Sequence, residues 1–305
     1  MWGGGVSNRS LLLIVNPSSG RRRAQSVASR ASEAFEAEQI SVDVVQTTGV
    51  GHARQMARDA DLSQYTGVVV VGGDGTLHEI INGTLERTSA ASLPIGLIPA
   101  GSGNDVAQQL KLSSVDEAVR RIIDGTTIDV DVGRVSSGDV VDYSITLVGW
   151  AGVADINCRA ERWRWMGPAR YSIAAAWQVV FPRPASAELT LGLKTLKSKF
   201  QLVVICNTVF TGAGMQMASC ASMSDGLLDV VVVRDASRWQ LLKLFTQIDK
   251  GTHVDLPCVE YFQVESVSIS TEQAEPLDID GEIRGTAPVS VVALPGAVRM
   301  FGAAA

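Results

Sequence analysis

Gly67-Val68-Val69-Val70-Val71-Gly72-Gly73-Asp74-Gly75-Thr76-Leu77-His78-Glu79-Ile80-Ile81-Asn82 is the stretch that decides the fold. Four valines in a row make a short β-branched run of the kind that forms a buried strand. After the glycines, Leu77, Ile80, Ile81 and Leu85 recur at helical spacing. The pattern is therefore strand, glycine-rich turn, helix. A helix start carries unpaired N–H groups and a partial positive charge, and glycines let a phosphate approach the backbone. Asp74 lies in that turn. A carboxylate beside phosphates repels them unless a cation such as Mg²⁺ sits between. A plain tight turn is the competing reading of Gly72–Thr76.

Working outward, the same grammar repeats. Leu11–Val15 is an apolar run ending in Asn16-Pro17-Ser18-Ser19-Gly20, a turn rich in donors and small residues. Arg21, Arg22 and Arg23 open a helical segment to about Glu38; they read as a solvated face or as a phosphate-tail contact. Ser41–Val45 reads as a strand, and Thr47, Thr48, Gly49 and Gly51 form a loop before a helix over His52–Ala60. Ile95–Ile98 is a further strand, closed by Pro99-Ala100-Gly101-Ser102-Gly103-Asn104-Asp105. Asn104-Asp105 also reads as the cap of a helix beginning at Val106. Alternating strands and helices predict a parallel sheet covered on both faces, with ligands at the carboxyl ends of its strands. Three of those loops are rich in glycine and hydroxyls, and the fourth contributes Thr47. Their convergence says more than any one of them. His52 and His78 read as structural.

After about Asp129 the texture changes. Short β-like stretches dominate: Val140–Val148, Glu188–Leu193, Phe200–Ile205, Leu227–Val233, Val264–Ser270 and Val289–Leu294. Helical patterns interrupt them at Gly152–Arg162, Ala169–Val180 and Ser237–Lys250. This predicts a nucleotide-type α/β domain over 1–130 and a mainly antiparallel β domain over 131–305, with the last residues free to return to the first. No flexible linker marks the boundary near Asp131.

Composition narrows the function. The 305 residues carry a net charge of −6, which argues against bulk nucleic-acid binding. Four scattered cysteines without a CxxC pair and three histidines argue against a zinc site and suggest a reducing compartment. The apolar stretch Ile173–Phe181 is too short to span a bilayer. Met1–Ser10 lacks a signal core and reads as a disordered start. A cytoplasmic protein is the expectation. Arg159, Arg162, Arg164 and Arg170 interleave with Trp163, Trp165 and Tyr171. That mixture suits a membrane interface or a packed tryptophan pair.

Taken in order, the Asn16–Gly20 turn, Gly72-Gly73-Asp74-Gly75-Thr76-Leu77-His78-Glu79-Ile80-Ile81-Asn82-Gly83 and Pro99–Asp105 resemble the diacylglycerol kinase catalytic family. That family includes bacterial soluble lipid kinases, sphingosine kinases and ceramide kinases. The resemblance continues through Asp131-Val132-Gly133, Asp225-Gly226-Leu227-Leu228-Asp229 and Asp280-Gly281-Glu282. The glycine turn alone is shared with NAD kinases and phosphofructokinases; the ordered set is specific.

The resemblance implies a three-layer α/β nucleotide-binding domain, a C-terminal β-sandwich and ATP in the cleft between them. It implies Mg²⁺-dependent transfer of the γ-phosphate to the hydroxyl of diacylglycerol or a sphingoid base. By the same resemblance, Asn16, Pro17, Ser18, Ser19, Gly20, Thr47, Gly72, Gly73, Asp74, Gly75, Thr76, Leu77, His78, Ser102, Asn104 and Asp105 would serve ATP. Asp74 and Asp105 would organise the Mg²⁺–phosphate network, with Asp131 a weaker candidate. Asp280 and Glu282 lie where the family keeps catalytic carboxylates, and which of them is the base stays open. Asp280-Gly281 is also a common hairpin signal. Ser222, Asp225 and Leu227 resemble a second, structural metal site with carbonyl ligands at its outer positions. The expected partner is a lipid at a membrane surface, met peripherally, with no nucleic acid and with room for a homodimer. The alternatives are a kinase of a soluble acceptor such as NAD and a nucleotide-binding regulator without turnover.

Overall fold

The computed structural model describes residues 9–87, 93–166 and 169–302, apart from the side chains of Arg21 and Arg164. The chain forms two units. One runs to Val130 and takes back the chain from Ala297; the other is Asp131–Gly296.

The first unit alternates β1 (Ser10–Val15), α1 (Ala24–Ala37), β2 (Ser41–Gln46), α2 (His52–Asp59), β3 (Gly67–Gly72), α3 (Asp74–Leu85), β4 (Ile95–Pro99), α4 (Asp105–Gln109) and α5 (Val115–Asp124). The strands are parallel in the order β2-β1-β3-β4, with Met300 near the chain's end pairing parallel to Ile95. Every residue of β3 is buried. The valine run thus occupies a strand covered on both faces, where β-branched side chains pack best. The path leaves β1 for β2 on one side and returns to β3 on the other. The crevice at that reversal, flanked by the loops after β1 and β3, is where open α/β sheets take ligands. The disordered start is corrected at its end: Ser10 pairs with Ser41 in β1, and Arg9 donates to the carbonyls of Ile122 and Ile123 at the end of α5. The remainder, residues 1–8, lies outside the described residues.

The second unit contains β5 (Thr127–Ser137), β6 (Val140–Ser144), β7 (Leu147–Ala151), α6 (Gly152–Arg162), α7 (Ala169–Val180), β8 (Ala185–Leu191), β9 (Lys194–Cys206), the short pair β10 (Phe210–Thr211) and β11 (Met215–Gln216), β12 (Leu228–Arg234), α8 (Arg238–Gln247), β13 (Val259–Val264), β14 (Ser266–Ser270), β15 (Glu275–Ile279), β16 (Glu282–Ala287) and β17 (Val289–Phe301). Strands β5 and β17 carry residues of both units. The first half of β9 pairs with β8, and its second half lies between β7 and β12. One layer is β16-β15-β7-β9-β12-β13, and the other continues β8-β14-β17. Val203, Ile205, Val230 and Val232 point inward against Val267, Ile269, Val289 and Val291. Their neighbours Leu202, Val204, Val231 and Val233 point the other way, onto Leu241 and Leu244 of α8. The period of two therefore splits one apolar run between a sandwich core and a helix-covered face.

The sequence pattern at 140–148 gives one strand, whereas the chain makes two. The break falls at Ile145-Thr146, whose backbone N–H groups are taken by a carboxylate described below. Strands β13, β15 and β16 escape the pattern. Pro276 and Asp278 in β15 and Gly285 in β16 dilute the β signal.

Candidate active site

In the first unit the carboxyl-end loops are tied to one another. Asn16 donates its backbone N–H to the Val71 carbonyl (3.1 Å) and its Nδ2 to Thr76 Oγ1 (3.0 Å), while its Oδ1 accepts the Ser18 N–H. The Gly72 carbonyl accepts the N–H groups of Ala100 (2.8 Å) and Gly101 (3.2 Å). A Cβ on Gly101 would stand 2.6 Å from Gly73 Cα, and one on Gly20, at φ +56°, 2.0 Å from the Ala100 carbonyl oxygen. Glycine is needed here because backbone meets backbone. Gly75 differs: it is exposed, and a Cβ there meets nothing within 4 Å. Gly73 has φ −111°, outside the left-handed region, and its added methyl would press on Gly101 at 3.1 Å.

Asp74 is the first residue of α3 rather than part of a free turn. Its Oδ2 accepts the Asp105 N–H (3.0 Å) and its Oδ1 the Val106 N–H (3.2 Å). Asp74 thereby caps α4 from the start of α3. Asn104 does not cap α4: its backbone is left-handed, and its side chain turns back to take the Gly101 N–H and donate to the Gly101 carbonyl, both at 3.0 Å. Asp105 is buried and Ser102 exposed. Thr47 is buried and donates its N–H to the Val15 carbonyl. Pro17, Ser18 and Ser19 lie on the loop after β1, which closes with the Ser19 N–H on the Asn16 carbonyl.

Two expected nucleotide residues lie elsewhere. Leu77 is fully buried and His78 is 1% exposed, so their side chains serve the core and not the loop edge. The periodicity that made Leu77 a helix residue already required this. Glu79 was missed by the sequence reading. Its Oε1 accepts the Gly51 N–H (2.7 Å) and its Oε2 the Ala53 N–H (3.0 Å), fixing the loop after β2 and the start of α2. The available signal was a carboxylate inside an otherwise buried helical run, which must find donors.

In the second unit, Asp280-Gly281 forms a two-residue hairpin turn between paired Ile279 and Glu282, with φ of 50° and 87°. Both positive angles are what a primed hairpin turn requires. The Asp280 carboxylate is heavily committed. Oδ1 accepts the Ser144 and Thr146 hydroxyls (both 2.7 Å) and the N–H groups of Thr146 (2.9 Å) and Leu147 (3.0 Å). Oδ2 accepts the Ile145 N–H at 2.9 Å. Glu282 is freer, with its side chain 37% exposed and its Oε2 held by Arg284 Nε and Nη2 at 2.8 Å. Arg284 also reaches buried Asp142 at 3.5 Å. Asp278, absent from the sequence-based set, accepts the Gly281 N–H (2.8 Å) and Asn157 Nδ2 (3.1 Å). Burial pushes its carboxyl up to about 7. The Asn157 and Gly281 hydrogen bonds oppose that rise, and the charges of Asp280 and Glu282 add to it.

Asp131 is buried and accepts the N–H groups of Gly226 and Gly296, both at 2.7 Å, so it ties the loop before β12 to β17. Nearby, Asp225 is exposed and accepts the Leu227 N–H, and Ser222 Oγ accepts the Ser224 N–H. Among the described residues no group of three or more histidine, cysteine, aspartate or glutamate side chains gathers to cage a metal. Asp74 and Asp105 at the loop edge, like Asp225 at its loop, suit a hard cation held by one or two carboxylates, water and phosphate. That is how Mg²⁺ is usually bound.

The interleaved arginines and aromatics resolve into pairs. Trp163 and Trp177 meet edge to face with centroids 6.3 Å apart, and Trp177 and Phe181 are tilted by 40° at 4.7 Å. Arg159 bonds Gln178, and Arg170 reaches Glu161 and the Tyr171 ring. Trp165 is nonetheless 81% exposed, and Trp239 on α8 80%. No helix among the described residues is long and apolar enough to cross a membrane. All four cysteines are free thiols.

Both halves of the chain resemble known proteins in sequence and fold. Residues 10–135 match the diacylglycerol kinase catalytic domain, and residues 147–302 the YegS C-terminal NAD kinase beta sandwich-like domain. A diacylglycerol kinase of Mycobacterium tuberculosis is 31% identical over 94% of this chain and 93% of its own length. Sphingosine kinase 1 of Arabidopsis thaliana is 30% identical over 90% of this chain and 68% of its own. A diacylglycerol kinase structure from Bacillus anthracis shares the fold at 19% identity and TM-score 0.73, covering 98% of both chains. An NAD kinase of Archaeoglobus fulgidus in complex with ATP shares it more distantly, at 11% identity and TM-score 0.50 over 96% of this chain and 93% of that one. The chain belongs to the diacylglycerol kinase catalytic family, the lipid kinases of the diacylglycerol and sphingosine kinase type.

Proposed function

We propose that this kinase transfers the γ-phosphate of ATP to a lipid hydroxyl, with diacylglycerol ahead of sphingoid bases. The products are phosphatidic acid or sphingosine 1-phosphate. The observation that carries the reading is the division of labour between the two carboxylates of the Asp280–Glu282 hairpin. Asp280 is spent on five donors, whereas Glu282 keeps Oε1 open beside an arginine that fixes Oε2. A lipid hydroxyl needs a carboxylate that can receive its proton as the phosphate arrives. Glu282 has that freedom and Asp280 does not. Glu282 is therefore the base, and Asp280 holds the strand junction beneath it.

The phosphates are bound by the edge at residues 16–20, 72–76 and 101–105. Its glycines bring backbone N–H groups close, and the α3 start adds a favourable field. Mg²⁺, when bound with the nucleotide, neutralises charge building on the transferred phosphoryl group. Asp74 and Asp105 stand at that edge and would hold it through water. Asp225 suits a second hard cation whose remaining ligands are carbonyls and water. Exposed Trp165, Trp177, Phe181 and Trp239, with Arg183, Arg238 and Lys243, suit a peripheral contact with anionic lipid. The mycobacterial diacylglycerol kinase, matched over 93% of its own length, favours diacylglycerol.

A second reading, a soluble acceptor such as NAD, has the NAD kinase-like sandwich behind it. Incubation with radiolabelled ATP, Mg²⁺ and a panel of diacylglycerol, sphingosine, ceramide and NAD separates the two. Labelled diacylglycerol is the expected result. Labelled NAD alone would establish the second reading, and ATP binding without any labelled acceptor would leave a regulator without turnover.

A further inference from the structure

The Gly281 peptide is gripped from both sides. Its N–H donates to Asp278 Oδ1 (2.8 Å), and its carbonyl accepts Asn157 Nδ2 (2.8 Å). Asn157 Nδ2 also reaches Asp278 Oδ2 at 3.1 Å, so the two side chains brace each other. Asp278 is 6% and Asn157 4% exposed. Asn157 stands on α6 and Asp278 on β15, hydrogen-bonded in register with Gly149 of β7. Glu282 follows the gripped peptide directly. A buried polar pair of this kind costs desolvation, which its hydrogen bonds offset only if the geometry is kept. A plain Asp-Gly hairpin needs neither side chain, since the turn residues suffice. The extra bracing has its effect on what comes next in the chain.

We propose that Asp278 and Asn157 are positioning residues that clamp the Gly281 peptide and so set the Glu282 carboxylate for the acceptor hydroxyl. This rests on Glu282 acting as the base. The clamp works through backbone: shift the Gly281 peptide, and the Cα of Glu282 swings with it. A carboxylate displaced by about 1 Å can lose on the order of a hundredfold in rate. Asp278 also brings a charge question. The titratable groups facing it are Asp280 and Glu282 on its own hairpin and Cys158 on α6; Asn157 and Gly149 are neutral. Kept protonated, Asp278 adds no third negative charge beside Glu282. Its ionisation, raised to about 7, adds one.

The test uses the full chain and three variants: Asn157→Leu, Asp278→Leu and Asp278→Asn. Transfer to diacylglycerol in mixed micelles is followed from pH 5.5 to 9, with ATP affinity by calorimetry and amide hydrogen exchange over the hairpin. Both leucine variants are expected to lose tenfold or more in kcat at unchanged ATP affinity, with Gly281 exchange accelerated tenfold or more. Asp278→Asn keeps an acceptor for the Gly281 N–H, so it is expected to keep most of kcat and to lack the inflection near pH 7 expected of the parent. Folded leucine variants within twofold of the parent in kcat overturn the clamp. So does a rate loss matched by an equal loss of ATP affinity. If the leucine variants do not fold, Asn157→Ala takes their place, and unchanged kcat with unchanged Gly281 exchange in that variant overturns the clamp. Should the parent label no lipid, the proposed reaction falls on its own; the exchange rate of Gly281 then still decides the clamp, and unchanged exchange refutes it.

Discussion

Asp280 and Thr146 are joined twice: Oδ1 of the aspartate accepts both the backbone N–H (2.9 Å) and the hydroxyl (2.7 Å) of the threonine. With Ser144, Ile145 and Leu147 adding three donors, the carboxylate organises the junction between β6 and β7. An amide in its place offers one acceptor oxygen and turns its own N–H donors toward other donors. Asp280→Asn should therefore destabilise the fold by about 2–4 kcal/mol, the range for leaving buried donors unpaired. Glu282→Gln removes a half-exposed carboxylate and should leave stability nearly unchanged while cutting kcat by orders of magnitude. Urea unfolding alongside single-turnover kinetics separates the two. A stable but inactive Asp280→Asn protein would return Asp280 to the chemistry.

Asp74 caps α4 through both oxygens, so it supports the 101–105 loop as well as facing the phosphate edge. Asp74→Asn retains one acceptor and sets an NH₂ against a backbone N–H. Loss of a cap costs about 1 kcal/mol, and a charged cap is worth somewhat more. The expected outcome is a modest fall in stability, a weakened ATP affinity, and turnover down by orders of magnitude at saturating Mg²⁺. Near-normal turnover would remove Asp74 from the Mg²⁺–phosphate network, and unchanged stability would make the cap dispensable.

The valine run, the helical spacing after it and the glycine loops made the α/β unit legible, because local pattern and burial coincide there. The sandwich was legible only where strands are long and apolar. Asp280 and Glu282 were found through resemblance. What separates them is the hold on Asp280 of residues more than a hundred positions away, which no local pattern encodes. Glu79, Asn157 and Asp278 were missed for a similar reason. A polar residue in a buried element announces that it needs partners, but not which partners.

Asp278 makes stability depend on pH with a definite sign. Its folded value, about 7, lies above the ordinary 3.8, so the unfolded chain ionises first as pH rises. The stability this group contributes is fully present below about pH 4 and is lost as pH climbs to about 7, by roughly 1.4 kcal/mol for each pH unit crossed. Asp278→Asn cannot ionise. Relative to the parent it should gain stability between about pH 4.5 and about pH 8, the two sides of that window. Denaturant unfolding at those two pH values checks this, and an unchanged difference between parent and variant would contradict it.

The exposed aromatics at Trp165, on α7 and on α8 predict binding to lipid that ionic strength weakens. The parent should sediment with phosphatidylglycerol vesicles at low salt and less so at about 0.5 M, where screening shortens to a few ångströms. Trp165 and Trp239 are too exposed to support the core. Replacing both with serine should reduce binding about tenfold with no change in Tm. A parent that stays in the supernatant at low salt would rule out the contact.

Gly75 and Gly101 sit on the same edge and should respond oppositely to one added methyl. At Gly101 the methyl meets the Gly73 Cα at 2.6 Å, backbone against backbone, and neither strand-end loop can yield without breaking its hydrogen bonds to Gly72 and Asn104. Gly101→Ala should lower Tm and ATP affinity together. At Gly75 the methyl enters open space in the first turn of α3. Alanine is the better helix former by up to about 1 kcal/mol, so the empty protein should become slightly more stable. If phosphate occupies that open side, the methyl stands where an oxygen must approach the amides, and ATP affinity should fall tenfold or more. The signature of the phosphate site is thus Gly75→Ala with Tm up and affinity down. Calorimetry with ATP on the two variants reads it directly. A Gly75→Ala protein that binds ATP as tightly as the parent would move the phosphates away from the start of α3.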